Sequence, residues 1–392
     1  MDNIQELLSP CFIINENKLK ENIYNFRDAL DSTFYKGILG YSVKTNSLPF
    51  ILKKAKEYGC FAEVVSADEY ILAKKVGFPI SNIIYNGPMK TRETFIEALE
   101  NGAYVNIENF REIEWLKQAH LRNDYNLGIR VNINFGVIGL LEEKNYDSRF
   151  GFSYENGDVE KAFYEIKKYG LRVNGIHAHR TSSTRSLEVY NKAVKYISNI
   201  VNDMEVCLKY IDIGGGFFGD MPGKPGYYDY AREIKKELNV GNDNVIVIVE
   251  PGNALVASPI DYCFTILDCK KIQKKKICCS DATRLDVDPF FHKTSYWYSI
   301  EGDLDDRKEE LQQVITGSTC LENDVLMTVK NEKNLMPGDR IIIKCVGAYT
   351  MALTPNFINY LPTVYVKKGN KYEIVRKKGT IDNIMMNNEV ED

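Results

Sequence analysis

The chain has 392 residues with 44% hydrophobic content, enough to bury a large core and to form about two domains. A net charge of -4 and a pI near 5.8 leave no basic footprint for nucleic acid, and no apolar run reaches the roughly 18 residues of a membrane span. The opening MDNIQELLSP carries acids where a signal peptide needs basic residues, and nine cysteines without CxxC spacing suit reduced thiols, so the expected setting is the cytoplasm.

In chain order, the apolar run Cys11 to Ile14 comes first and reads as a strand set apart from the later runs. From about Gly37 to Ala257, short β-rich runs alternate with longer amphipathic stretches, the pattern of repeated βα units. Eight such runs end near Lys44 (ILGYSVK), Ser66 (FAEVVS), Asn86 (NIIYN), Asn106 (YVN), Asn132 (LGIRVN), His179 (NGIHAH), Gly214 (KYIDIG) and Glu250 (VIVIVE). Helix-like segments at 48–58, 67–76 and 91–101 lie between them, closed by Gly59, Gly77 and Gly102 as C-caps. Eight strands with their helices fit an α/β fold of the (β/α)8, TIM-like barrel kind, whose active site lies at the C-terminal ends of the strands. From Pro259 onward the runs 262–267, 313–316, 340–345 and 363–366 are short and β-rich, broken by turns such as Lys368-Gly369-Asn370, and predict a second, all-β domain. The predicted division is a barrel over 30–258 and a discontinuous β domain from 1–29 plus 259–392. Lys274 to Lys276 reads as a solvated turn, and 387–392 as a frayed acidic tail.

Four features point to chemistry. Lys44 ends an apolar run; burial favours its neutral, nucleophilic amine, and the plain alternative is a lysine that snorkels out at a strand end. Gly214 to Gly219 satisfies GxGxxG, but the following 220–226 (DMPGKPG) cannot open the helix that a dinucleotide site needs. A loop offering backbone N–H groups to a single phosphate fits better, with a tight turn as the alternative. His177-Ala178-His179 puts two imidazoles on one strand face, yet His120 and His292 lie elsewhere, so a metal site is not expected. His177 reads as a core residue pointing down the barrel, and His179, beside Ser182, as the functional one. Glu250 closes an apolar strand and is followed by Pro251-Gly252. A carboxylate there needs a positive partner, either a protonated heteroaromatic nitrogen or Arg130, read as ending a neighbouring strand.

The ordered set YSVKTN, EVVSADE, NGPMKT, SRFGF, HAH with Ser182, GGGF, EPGN, the cysteine of GSTCLENDVL, and VGAYTMALTPNF resembles the ornithine/diaminopimelate/arginine decarboxylase family over nearly the whole length. These are fold type III enzymes, with an alanine racemase-like architecture, that use pyridoxal 5′-phosphate (PLP). The resemblance implies that Lys44 holds PLP covalently, that Glu250 keeps the pyridine nitrogen protonated and that His179 stacks on the ring. It implies that Ser182, Gly214, Gly215, Gly216 and Tyr349 hold the phosphate, that Asn253 lies in the cofactor site, and that Glu63 and Arg130 stand where the family has an acid and an arginine. Cys320, from the β domain of a second subunit of a homodimer, would protonate the α-carbon after carbon dioxide leaves.

Departures concern the substrate. Leu321 stands where decarboxylases of basic amino acids carry an acid, Asp288-Pro289 where diaminopimelate enzymes have Arg-Pro, Thr181 where the family has glycine, and Asn253 where it has arginine. Arg180 or Arg185 could supply the missing phosphate charge or bind an acidic group of the substrate. The expected function is decarboxylation of an L-α-amino acid or derivative, including N-acylated or carboxylated diamino acids or a carrier-protein-linked amino acid. A PLP-dependent racemase and an inactive regulatory homologue are the alternatives.

Overall fold

The computed structural model describes residues 3–140, 148–219, 221–241, 244–273, 275–386 and 388. The sequence readings at Asp220, at Lys274 and over the 387–392 tail, apart from Asn388, lie outside them. The chain forms two compact units, Lys20–Leu255 and Met1–Leu19 with Val256–Asp392. It passes from β1 (Cys11–Asn15) of the second unit into the first within α1 (Glu16–Asp31).

In the first unit, β2 (Lys36–Ser42), β3 (Phe61–Ser66), β4 (Ile83–Met89), β5 (Tyr104–Ile107), β6 (Asn126–Arg130), β7 (Gly175–His177), β8 (Tyr210–Asp212) and β9 (Ile246–Val249) close into a parallel barrel in sequence order. Around it run α2 (Pro49–Glu57), α3 (Ala67–Val76), α4 (Arg92–Glu100), α5 (Phe110–Trp115), α6 (Asp158–Lys167), α7 (Leu187–Asp203), α8 (Tyr227–Glu237) and the short α9 (Asn253–Val256). Local chemistry sets the helix ends. Ser66 caps α3 by accepting from the Glu69 amide, Thr91 caps α4 through the Thr94 amide, and Asn109 caps α5 through the Glu112 amide. Gly77 closes α3 at φ +97°, a conformation glycine adopts without penalty. All eight predicted runs are strands. Lys44 and His179, read as strand ends, lie just past them, Lys44 in a short 3₁₀ turn over Val43–Thr45.

The floor of the barrel is a cluster of Ile38, Ile84, Tyr104, Tyr210, Ile246 and Ile248, with Phe61 against it. The Tyr210 ring crosses the interior to reach the Asn106 side chain, its hydroxyl donating to Oδ1 at 2.8 Å. Glycine on two neighbouring strands makes the room: a Cβ at Gly175 would sit 2.0 Å from Tyr210 Cζ, and one at Gly128 2.4 Å from its hydroxyl.

In the second unit, β10 (Ile260–Ile272), β11 (Lys275–Ser280), β12 (Tyr298–Glu301), β13 (Glu309–Thr316), β14 (Val325–Lys333), β15 (Arg340–Ile343), β16 (Thr363–Lys368) and β17 (Lys371–Arg376) join β1 in one sheet. Its main path is β14-β13-β11-β10-β1-β16-β17. β1 lies between β10, antiparallel, and β16, parallel, with Cys11 opposite both Cys263 and Thr363. A register shift between Ile266 and Asp268 lets β10 pair with β1 and β15 along one half and with β11 along the other. The core here is Leu7, Cys11, Ile13, Cys263, Ile342 and Tyr365. Two short helices, α10 (Arg284–Val287) and α11 (Ile381–Met385), interrupt what reads as all-β. Among the described residues no helix is long and apolar enough to cross a membrane.

Gly175→Ala is expected to cost about 1–3 kcal/mol, the usual penalty for overpacking a filled core. Adding Tyr210→Leu should return part of it, which urea unfolding of the single and double variants would read as a coupling energy.

Candidate active site

Side chains two residues apart share one face of a strand, so each barrel strand sends alternate residues inward. The lower inward layer is Gly40, Phe61, Ile84, Tyr104, Gly128, Gly175, Tyr210 and Ile248. Two residues later every one of these positions is polar: Ser42, Glu63, Asn86, Asn106, Arg130, His177, Asp212 and Glu250. The barrel therefore turns from apolar to polar within a single layer, at the strands' C-terminal ends.

Hydrogen bonds connect this ring. Tyr210 donates to Asn106, Asn106 Nδ2 donates to Asn86 Oδ1 at 2.8 Å, and Asn86 Nδ2 donates to Glu63 at 3.3 Å and to Glu250 Oε1. Ser42 Oγ donates to Glu63 Oε2 at 2.6 Å. Lys44 Nζ reaches down from above to Glu63 Oε2 at 2.7 Å and Ser42 Oγ at 2.8 Å. Burial works to raise the Glu63 carboxyl, but the Lys44 ammonium and the hydrogen bonds from Lys44, Ser42 and Asn86 outweigh it and hold it below the usual range.

Asp212 and Glu250 have no such cation. Burial pushes Asp212 up to about 7 and Glu250 well above its ordinary value, the latter raised further by Asp212 and Glu63 nearby. Oxygen atoms of the two carboxyls lie within 4.8 Å of each other, so the two groups titrate as a coupled pair. His177 does not supply the charge. Its Nε2 stands 3.6 Å from Glu250 Oε2, neither ring nitrogen has a hydrogen-bond partner, and burial with the Arg130 charge drives its pKa well below the usual value. Donor atoms of His177, Asp212 and Glu250 lie within 4.8 Å of one another, so the trio could accept a cation.

Arg130 is not the partner of Glu250. Strand β6 neighbours β5 and β7, and the guanidinium pairs with Glu108 at 3.2 Å and donates to the His179 carbonyl at 3.0 Å. Glu108 also accepts from the Gly151 amide at 3.1 Å, and below it a buried pair, Lys90 and Glu112, lies at 3.0 Å.

Above the ring, His179 and the glycine loop interlock. Gly215 N donates to His179 Nδ1 at 3.2 Å, which leaves the ring proton on Nε2. Burial, with Arg130 and Lys44 close by, pushes His179 down to about 3, so it is a neutral imidazole. A Cβ on Gly214 would lie 2.5 Å from His179 Cβ, and one on Gly215 2.4 Å from the Glu250 carbonyl; Gly214 and Gly216 take φ of +70° and +94°. Gly214 N donates to Asp212 Oδ1 at 2.9 Å, Glu250 N to the Gly214 carbonyl at 2.7 Å, and Tyr190 hydroxyl to the Gly215 carbonyl at 3.0 Å. Ser182, Ala178, Tyr190 and Ile213 line the same hollow. Asn253 opens α9 immediately after Gly252, where a Cβ would collide with Thr45. Arg180 lines this hollow too, its guanidinium 4.5 Å over the Phe135 ring and donating to the Ile133 carbonyl.

The remaining predicted residues belong to the second unit. Cys320 and Leu321 are exposed in the turn after β13, a turn organised by Asp324, which accepts from Thr319 and from the Arg284 amide. Tyr349 is exposed with a φ of +55°. Asp288, read as a substrate contact, is buried instead and fully engaged by Arg284 at 2.8 Å and by the amides of His292 and Lys293. Sequence reasoning passed over Asp212, Glu108 and Asn86 as functional residues, although an acid inside the apolar run KYIDIG was a visible signal.

The family model described as "Pyridoxal-dependent decarboxylase, pyridoxal binding domain" matches residues 16–257. The chain belongs to this family. It is a PLP-dependent amino-acid decarboxylase, a carboxy-lyase, which removes the reading as a cofactor-free homologue. Among curated relatives, the diaminopimelate decarboxylase of Aquifex aeolicus is 25% identical over 391 residues, covering 96% of this chain and 91% of that one. The crystal structure of Helicobacter pylori diaminopimelate decarboxylase complexed with L-lysine has a TM-score of 0.82 at 22% identity, covering 97% of each chain. That of the Paramecium bursaria Chlorella virus arginine decarboxylase bound to agmatine has a TM-score of 0.77 at 20% identity, covering 92% of this chain and 96% of that one. At these identities the structures speak for the fold.

The residues present fit PLP. Among the described residues the buried Asp212 and Glu250 have no lysine or arginine paired with them, a glycine loop offers backbone at close approach, and an amine stands at the rim. The pair also sets a pH dependence. A carboxyl whose folded pKa exceeds its unfolded value binds its proton more tightly when folded, so its stabilisation is complete below about 4 and is lost as pH rises through about 7. Asp212→Asn removes that dependence, whereas the opposite trend from His179 is common to both proteins. Thermal unfolding of the cofactor-free proteins from pH 5 to 8 should show wild type losing on the order of a few kcal/mol relative to Asp212→Asn.

Proposed function

We propose that this decarboxylase acts at the α-carboxylate of an L-amino acid of the diaminopimelate type or a derivative of it, with Lys44, Glu250, His179 and the Gly214–Gly216 loop as the cofactor's ligands. The observation that carries the reading is the Lys44 amine held above the buried Asp212 and Glu250, which have no lysine or arginine paired with them among the described residues. When bound, PLP supplies an electron sink for the pair left behind as carbon dioxide departs. The chain's own residues do the rest. Glu63 accepts a hydrogen bond from Lys44 and holds the amine in position at the rim. Glu250, backed by Asp212, keeps the pyridine nitrogen protonated, and the neutral His179 offers a flat face without adding charge. Ser182 and the loop amides bind the phosphate. Cys320 of a second copy, in a two-fold dimer, returns a proton to the α-carbon.

The substrate's far end is read from what is missing. Leu321 follows Cys320, and Asp288 is engaged by Arg284, so neither offers a carboxylate to a lone distal ammonium. The names of the relatives point to diaminopimelate. A zwitterionic distal end meets both considerations, an acylated, carboxylated or carrier-linked one meets only the first, and free ornithine or lysine meets neither. Carbon dioxide release from a panel of these amino acids decides it: ornithine or lysine as the preferred substrate would defeat this reading.

Borohydride reduction of the PLP-loaded protein should place the adduct on the Lys44 peptide by mass, and Lys44→Ala should show neither adduct nor turnover. Cys320→Ala should lower kcat about 100-fold or more and divert product to aldehyde as protonation goes astray. Mixing equal amounts of the Lys44→Ala and Cys320→Ala proteins should restore up to about a quarter of the wild-type sites if sites are shared across a dimer, and none if they are not.

A further inference from the structure

We propose that Arg185 is the cation that neutralises the phosphate of PLP in this enzyme. The inference rests on the reading of Ser182 and Gly214–Gly216 as the phosphate cradle. Those groups are neutral donors, backbone amides and a hydroxyl, and the cation that lines the same hollow, Arg180, is engaged by the Ile133 carbonyl and the Phe135 ring. A phosphate monoester carries close to two negative charges at pH 7, which amides alone leave largely uncompensated.

Three arginines stand near enough in the chain to matter, and two are committed. Arg130 is paired with Glu108, and Arg180 is bonded to the Ile133 carbonyl and stacked on Phe135. The Arg185 guanidinium makes no hydrogen bond or ion pair among the described residues. It rests on the Phe218 ring, Cζ 5.4 Å from the centroid, two residues beyond Gly216. Its backbone, by contrast, is held on both sides: the amide donates to Ser182 Oγ at 2.9 Å, and the carbonyl accepts from the Tyr230 hydroxyl at 2.7 Å. A φ of +50°, uncommon for a residue with a Cβ, is kept there. Its charge is felt at Tyr190, whose hydroxyl holds the Gly215 carbonyl. The loop thus ties a cation that has no anionic partner among the described residues to the serine and the glycine turn at once. A planar guanidinium parked on an aromatic face is preorganised to give a two-pronged contact to phosphate oxygens. Lys224, also over Phe218 at 5.1 Å, has no bond to the cradle and serves as the control.

The test compares PLP with pyridoxal, which forms the same link to an amine but lacks the phosphate. Dissociation constants for both are measured by visible absorbance on wild type, R185M, R185K and K224M. R185M is expected to bind PLP about 10- to 100-fold more weakly while its affinity for pyridoxal stays within about 2-fold of wild type. R185K, which keeps the charge but not the fork, should fall between, and it decides the matter if R185M does not fold. K224M should match wild type. Unchanged PLP affinity in R185M and R185K, or equal losses for PLP and pyridoxal, overturns the assignment. If wild type forms no Lys44 adduct with either compound, the cofactor reading itself fails, a result distinct from a failure of Arg185 alone.

Discussion

Two buried carboxyls, Asp212 and Glu250, stand together at the barrel mouth with their pKa values raised by burial, and the rest of the site is arranged around them. A full negative charge on either would cost several kcal/mol in that position. Everything polar nearby holds the pair without neutralising it: Asn86 and Asn106 donate neutral hydrogen bonds, the Gly214 amide donates another, and His177 stays uncharged. The one lysine within reach is drawn off by Glu63, and the one buried arginine of the ring by Glu108. Among the described residues no lysine or arginine pairs with either carboxyl, and the proposed contact with a protonated ring nitrogen draws on that.

The pair depends in turn on the floor beneath it. Tyr210 fills the space that Gly128 and Gly175 leave, closes the interior to water from below and hands its hydroxyl proton into the asparagine chain. One strand, β8, therefore carries both the plug and, two residues later, the acid.

Much of this was legible in the sequence because strand runs buried on both faces read as unbroken apolar stretches, and seven of the eight ended on a polar residue. VIVIVE, KYIDIG and ILGYSVK mark three strand ends to within two residues. What spacing does not encode is which polar ends meet across the barrel. Glu250 and Arg130 looked like natural partners by charge alone, yet β9 and β6 are not neighbours, and Glu108, one residue past β5, is the acid that Arg130 reaches. Asp288 illustrates the same limit: a carboxylate before proline resembles a binding residue until the backbone folds Arg284, four positions earlier, onto it. The bend of β10 and the short α10 were likewise hidden, since a register shift leaves no compositional trace.

The placement of β1 has a consequence for synthesis on the ribosome. Cys11 to Asn15 lie between β10 and β16, and their parallel neighbour begins at Thr363. The whole of Lys20–Leu255 emerges while that first strand still has no partner on either side. Strand β1 must therefore wait, unpaired, until β10 and then β16 have been translated, and it acquires its place only after the whole barrel has been made.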